Sequence, residues 1–230
     1  DEYVRAELAK IKAGGKKIRI VSSTVNSPST KAAIADFTAQ YPNTKHVQVD
    51  AVSYTGIIKA NENSFGKAVL PKYRFDRADL IVSFGADFLG TWISPVEFSR
   101  QYTSKRNNTA LQGKKMSRHI QFETGMSLTG TNADARLPLK PSEEGIALLN
   151  LYAALGGAVT GTKPLANNPN AEKAIALAAK ELAAAKGRAL VISGSNDVST
   201  QIVVNAINSI LGSYGTTIDL DNPSYQYAGN

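Results

Sequence analysis

The 230-residue sequence contains no cysteine, so the chain forms no disulfide, no thiolate zinc site and no cysteine-ligated iron–sulfur cluster of its own. The missing thiols leave the compartment open, because a cysteine-free chain suits oxidising and reducing surroundings alike. No apolar run approaches the roughly 20 residues that cross a bilayer, and no signal peptide opens the chain. There is no P-loop and no nucleophile elbow. Histidine is nearly absent. His46 starts a strand-like run and His119 sits inside one, and both read as structural residues rather than acid–base catalysts.

What is present is ordinary for a globular α/β protein. The hydrophobic fraction is 43%, and a chain of this size buries about 70% of its unfolded surface without staples. The formal charge is +7, and part of the excess gathers between Arg100 and Arg118, with Lys105, Arg106, Lys114 and Lys115. That region reads either as a docking surface for an anionic partner or as a solvated loop. No aromatic ladder or nucleic-acid motif accompanies it, so no nucleic-acid partner is expected.

Three apolar runs end abruptly in small, polar turns: Ile18 to Ser23, Leu80 to Asp87 and Ala189 to Asn196. Each is followed by a helix-like stretch. Ser27-Pro28 opens a helix to about Gln40, Ser94-Pro95 another to about Thr103, and Val198 to Leu211 is a third, closed by Gly212. Further helices are read at 3–12, 54–65, from Ser142 to Gly156, and at 171–185. Strands are read at 17–22, 46–50, 79–84, 119–123 and 188–193, with a last short one near 216–219. Residues 70–75 read as extended, 106–115 as a polar connection and 124–132 as a loop. The alternation predicts an α/β fold: a mostly parallel open sheet with helices on both faces. The Pro/Asn loop at 161–170 is a candidate subdomain hinge or a plain surface loop. The first residues read as the middle of a helix and the last lead nowhere, so residues 1–230 read as a segment of a longer protein.

Open sheets of this kind bind ligands beyond the carboxyl ends of their strands. Two turns there carry small residues, Ser83-Phe84-Gly85-Ala86-Asp87 and Ser193-Gly194-Ser195-Asn196-Asp197, whose backbone N–H groups are placed to meet a phosphate. Neither is a complete dinucleotide fingerprint, and Asp87 and Asp197 add negative charge. Asp197 has no evident histidine partner for a triad. Glu143 and Glu144 side by side at a helix start are explained by the helix dipole.

Longer runs carry a resemblance. Arg77 to Asp87 resembles a strand-and-turn segment of the molybdopterin oxidoreductase superfamily, and Glu123 to Ser127 followed by Ala133 to Leu148 is similar to another, in the same order and spacing. Phe84-Gly85-Ala86-Asp87-Phe88-Leu89-Gly90-Thr91-Trp92, with Val191 to Asn196 and Tyr214 to Asp219, resembles more narrowly the large iron–sulfur subunit of bacterial alternative complex III. The superfamily resemblance implies a fold that holds a molybdenum cofactor with pterin and guanine dinucleotide. The narrower one implies a cofactor-less domain of that fold beside a cluster-bearing ferredoxin-like domain.

The departures favour the cofactor-less form. Glu123-Thr124-Gly125 stands where the superfamily has Asp-Pro-Arg, and Ser142-Glu143-Glu144 where it has Gly-Thr-Asp. Each lost charged donor costs about 1.5–3 kcal/mol of binding. Gly85, Ala86, Asp87, Glu123, Glu144 and Ser195 are the candidates for a vestigial pocket. Glu144, at the guanine-reading position, retains an acceptor. The resemblance implies no catalytic residue, no metal ligand and no cofactor in this segment. It places iron–sulfur clusters in the rest of the subunit, and names as partners the ferredoxin-like domain and the other subunits of a membrane quinol-oxidising respiratory complex. The location it implies is the periplasmic face of the bacterial inner membrane, without a direct membrane span. Two alternatives remain: a fragment of an active molybdopterin guanine dinucleotide enzyme, and a standalone nucleotide- or anion-binding α/β protein.

Overall fold

The structure is a computed structural model, which describes residues 1–107, 115–165 and 168–227. The chain divides into two compact units: residues 1–54 with 225–230, and residues 55–224. The division falls at Tyr54/Thr55, whereas the candidate hinge at 161–170 lies inside the larger unit. That loop is tied down. Leu165 is buried, its N–H donates to Glu172 Oε1 at 2.7 Å, and Asn168 Nδ2 donates to Pro138 O at 2.9 Å. Residues 166–167 of it lie outside the described residues.

The smaller unit carries helix α1 (Glu2–Ala13), strand β1 (Ile18–Ser22), helix α2 (Pro28–Gln40) and strand β2 (Thr44–Gln48). Ser27 Oγ caps α2 by accepting from Thr30 N–H. β1 and β2 pair in parallel as a sheet of their own, with Ile18 opposite Thr44 and Ser22 opposite Gln48. His46 accepts or donates one bond, to Ser22 Oγ at 2.8 Å, so it is held within this sheet.

The larger unit begins with helix α3 (Thr55–Phe65) and strand β3 (Leu70–Tyr73), followed by β4 (Leu80–Phe84) and helix α4 (Pro95–Ser104). Then come β5 (Arg118–Glu123), the short α5 (Leu128–Thr131) and β6 (Ala135–Pro138). A 3-10 turn at Pro141–Glu143 leads into α6 (Glu144–Ala154). Helix α7 (Pro169–Ala184), strand β7 (Ala189–Ser193), helix α8 (Val198–Leu211) and strand β8 (Ile218–Ser224) complete it. Most of the polar connection read at 106–115 falls at 108–114, outside the described residues.

Four strands form one parallel sheet in the order β6-β5-β4-β7. The fold is therefore α/β and Rossmann-like, as the alternation predicts. The first two predicted strands do not join this sheet, and β8 pairs antiparallel with β3, Tyr73 opposite Ile218. Local patterning marks a strand but not its neighbour, which is why one continuous sheet was the simpler expectation. β4 and β7 are buried along their whole length, as expected of parallel strands covered on both faces. On one face Leu80, Val82, Phe84, Ile120, Phe122 and Val191 pack against α6, α7 and α8. On the other, Phe88 stacks on Phe75, Phe75 meets Phe98 of α4, and Tyr102 of α4 meets His119 edge-on. Each fully buried large apolar side chain contributes about 1.5–3 kcal/mol.

The chain runs from β4 to β5 to β6 on one side, then returns to lay β7 on the other side of β4. The strand order thus reverses between β4 and β7, and the carboxyl ends of such a pair are where an open α/β sheet is expected to form its ligand crevice.

Candidate functional site: the crevice between β4 and β7

Two glycine turns form the floor of this crevice. Gly85 has φ +63, a left-handed conformation that glycine adopts without strain. Gly194 faces it so closely that a Cβ there would lie 2.5 Å from Gly85 O. Several backbone amides of the two turns already have acceptors. Gly85 N–H donates to Phe122 O and Gly194 N–H to Phe84 O, both at 2.8 Å. Ser195 N–H donates to Ser193 Oγ at 3.0 Å, and Asp197 N–H to Ser195 Oγ at 3.2 Å. Gln201 of α8 holds the turn from below, its Nε2 donating to Ser193 O and Ser195 O at 3.0 and 2.6 Å. At the neighbouring helix start, Asn196 Oδ1 accepts from Gly56 N–H of α3 at 2.8 Å.

Into this crevice α6 sends Glu144. Its Oε1 accepts from Ser193 Oγ at 2.5 Å, and its Oε2 lies about 3.5 Å from where a Gly85 Cβ would stand. Burial raises the Glu144 pKa against the opposing effect of the Ser193 bond. This corrects the dipole explanation of the Glu143–Glu144 pair. Glu143 does serve the turn, with Oε2 accepting from Lys140 N–H at 3.2 Å. Glu144 is the first residue of α6, and a side chain there leans back over the preceding turn, here toward the strand ends.

Asp87 and Glu123 gather separately, around α5. Asp87 Oδ1 accepts from Thr129 Oγ1 and N–H at 2.8 and 3.1 Å, while its carbonyl accepts from the N–H groups of Gly90, Thr91 and Trp92. The run that carries the narrow resemblance is thus folded around one aspartate. Glu123 is held by Arg136 Nε at 2.5 Å, Ser127 Oγ at 2.6 Å and Gln121 Nε2 at 3.2 Å. Burial alone would raise its pKa, but the bonds from Ser127 and Arg136 outweigh it and the net shift is downward. Ala86 is fully buried, and only its carbonyl takes part, accepting from Ser83 Oγ at 3.2 Å. Asp197 caps α8 by accepting from Thr200 N–H at 2.7 Å.

Of the six sequence-derived pocket residues, Gly85, Glu144 and Ser195 meet at the crevice, and Asp87, Glu123 and Ala86 belong to the packing beside it. Sequence reasoning placed Ser193 in a candidate turn but missed its role as the donor to Glu144, and it missed Gln201. It also missed a buried polar ladder on one face of β5. His119 Nε2 lies 3.2 Å from Gln121 Oε1, Gln121 donates on to Glu123, and Tyr102 OH lies 3.2 Å from His119 Nδ1 while donating to Asn132 O. The period-two spacing of His119, Gln121 and Glu123 was the available signal. Burial drives the His119 pKa down to about 4, so the ring is neutral.

Three cations of the basic region are engaged within the chain, and Lys114 lies outside the described residues. Lys105 Nζ pairs with Asp79 at 2.9 Å, Arg106 grips Asp134 with both terminal nitrogens, and Arg118 Nε meets Glu181 at 2.7 Å. Among the described residues no group of three or more histidine, aspartate or glutamate side chains is arranged to hold a metal ion, and no helix is long and apolar enough to cross a membrane.

A pterin guanine dinucleotide is polyanionic. It would meet the Glu144 carboxyl bonded to Ser193 and a Ser195 N–H bonded to Ser193 Oγ, while Arg136 of β6 is held by Glu123.

No protein-family model matches the chain, and no curated protein does. Solved structures do. A chain of the formyltransferase/hydrolase complex (FhcABCD) from Methylorubrum extorquens, in complex with methylofuran, superposes with a TM-score of 0.56 at 12% identity, covering 92% of this chain and 55% of that one. Acetylene hydratase from Pelobacter acetylenicus, a molybdopterin enzyme, superposes with a TM-score of 0.51 at 14% identity, covering 94% of this chain and 33% of that one. The chain therefore spans about half the length of the first and a third of the second. The fold is loosely that of a molybdopterin enzyme.

Proposed function

We propose that this chain is a molybdopterin-enzyme-like scaffold whose cofactor crevice is closed by its own side chains, and that it serves as a structural part of an electron-transfer subunit. One observation carries the reading: Glu144, which keeps an acceptor at the guanine-reading position, already takes the Ser193 hydroxyl, and Ser193 Oγ in turn takes the Ser195 N–H. Gly125 stands where the superfamily has the arginine of Asp-Pro-Arg, and each charged donor lost in this way costs about 1.5–3 kcal/mol of binding.

The finer assignment rests on the sequence runs around Gly85–Trp92. On that basis the partners are a cluster-bearing ferredoxin-like domain and the other subunits of a quinol-oxidising complex at the periplasmic face of a bacterial inner membrane. The iron–sulfur clusters belong to the partner domain, since this chain has no cysteine.

The scaffold reading is tested by native mass spectrometry with metal analysis of the protein made in a bacterial host that synthesises pterin guanine dinucleotide. The polypeptide mass alone is expected. Molybdenum or guanine nucleotide at one equivalent would overturn the reading. Purification of its assembly from native membranes is expected to bring down a cysteine-bearing chain with iron–sulfur resonances; an assembly without them would remove the electron-transfer role.

A further inference from the structure

The β1–β2 sheet has two unlike faces. Ile18, Ile20 and Ser22 of β1 share one with Thr44, His46 and Gln48 of β2, all buried or half-buried. Arg19 and Val21 share the other with Lys45 and Val47, and Val49 follows next in the alternation, its N–H donating to Ser22 O at 2.9 Å. This second face is largely bare: Val47 is half-buried, but Val21 is 70% exposed and Val49 54%, and Arg19 and Lys45 are exposed beside them. Parallel strands are almost always covered on both faces, so a bare one marks missing cover.

The charges on this face are also out of balance. Arg19 stands directly opposite Lys45 in register, a like-charge cross-strand pair that opposes strand pairing. Among the described residues neither cation has a carboxylate within ion-pair distance; Arg19 Nη1 donates only to the carbonyl of its neighbour Ile18. The strands themselves carry no acidic residue.

We infer that the Arg19–Val21–Lys45–Val47 face docks an acidic segment of a partner protein, one that sets carboxylates between the two cations and apolar side chains on the valines. Charge selects this occupant. A second copy would bring four cations together face to face. Two cations are too few for an anionic membrane surface, where clusters of about 4–8 act. Nucleic acid would meet valines where it needs a run of cations or stacking rings. The inference is independent of the crevice, which lies in the other unit.

The test is an NMR titration of the isotope-labelled whole chain with a twelve-residue peptide of alternating Glu and Val. Saturable shifts are expected at Arg19, Val21, Lys45, Val47 and Val49. A Lys/Val peptide, duplex DNA and phosphatidylserine vesicles are expected to leave those signals unmoved. The variant Arg19→Glu separates docking from mere structure. It turns the repelling pair into an attracting one, so hydrogen exchange of β1 and β2 should slow several-fold while peptide affinity falls at least ten-fold. The inference fails if no shifts appear, if they fall elsewhere, or if Arg19→Glu leaves binding intact or speeds exchange. It fails equally if DNA or vesicles bind this face as well as the acidic peptide, or if the face proves to be a self-association surface in sedimentation.

Discussion

Glu144 is where a single side chain decides the reading. Its carboxyl is held in the crevice by one hydroxyl, Ser193, and burial raises its pKa above the ordinary glutamate value of 4.5. A carboxyl whose folded pKa is raised costs stability in its charged form, so its contribution is lost as pH rises from 4.5 through the folded value. Glu144→Gln keeps the acceptor for Ser193 and removes the charge. Its thermal midpoint at pH 7 is expected to exceed wild type by a few degrees, with the difference vanishing near pH 4; scanning calorimetry at the two pH values reads this directly. The residue was legible as a site candidate from its motif position. Its partner was not, because Ser193 is 49 positions away and nothing local links the two.

Strand β5 shows what an element adds. His119, Gln121 and Glu123 run along one buried face and end at Arg136 of β6. Arg136→Leu leaves the Glu123 charge buried without its cation and is expected to cost about 3 kcal/mol in urea unfolding. Adding Glu123→Gln should recover part of that loss, the coupling expected of a pair in contact. His119 supplies a pH signature. Its pKa is about 4 in the folded chain against 6.5 unfolded, so the unfolded state binds the extra proton between those values and stability falls as pH falls through that window. Between pH 7 and pH 5 the loss is about 2 kcal/mol, measurable by urea titration in the Glu144→Gln background, where the opposing carboxyl is gone. Most element boundaries were legible, because Ser27, Asp197 and Gly212 are local signals that act within one turn. Strand partners were not. β8 reads as a short end strand, yet it runs from Ile218 to Ser224 along β3, a pairing between residues nearly 150 positions apart.

Across the whole molecule, the two units differ in how they are held. The larger has a continuous core from Leu80 to Leu211, while in the smaller neither helix buries a residue and its sheet has two strands. Few buried contacts mean low local opening energy. Amides of β1 and β2 are therefore expected to exchange with solvent orders of magnitude faster than those of β4, β5 and β7, as followed by mass spectrometry of the intact chain. Composition and alternation made the α/β class legible, but not this division, since both halves repeat the same strand–helix pattern and only packing distinguishes them. The central claim, that the crevice between β4 and β7 no longer takes a guanine dinucleotide, is tested most directly by amide NMR of the whole chain titrated with guanosine diphosphate. The signals of Gly85, Gly194 and Ser195 should stay in place at millimolar ligand; saturable shifts of those three amides would contradict the account.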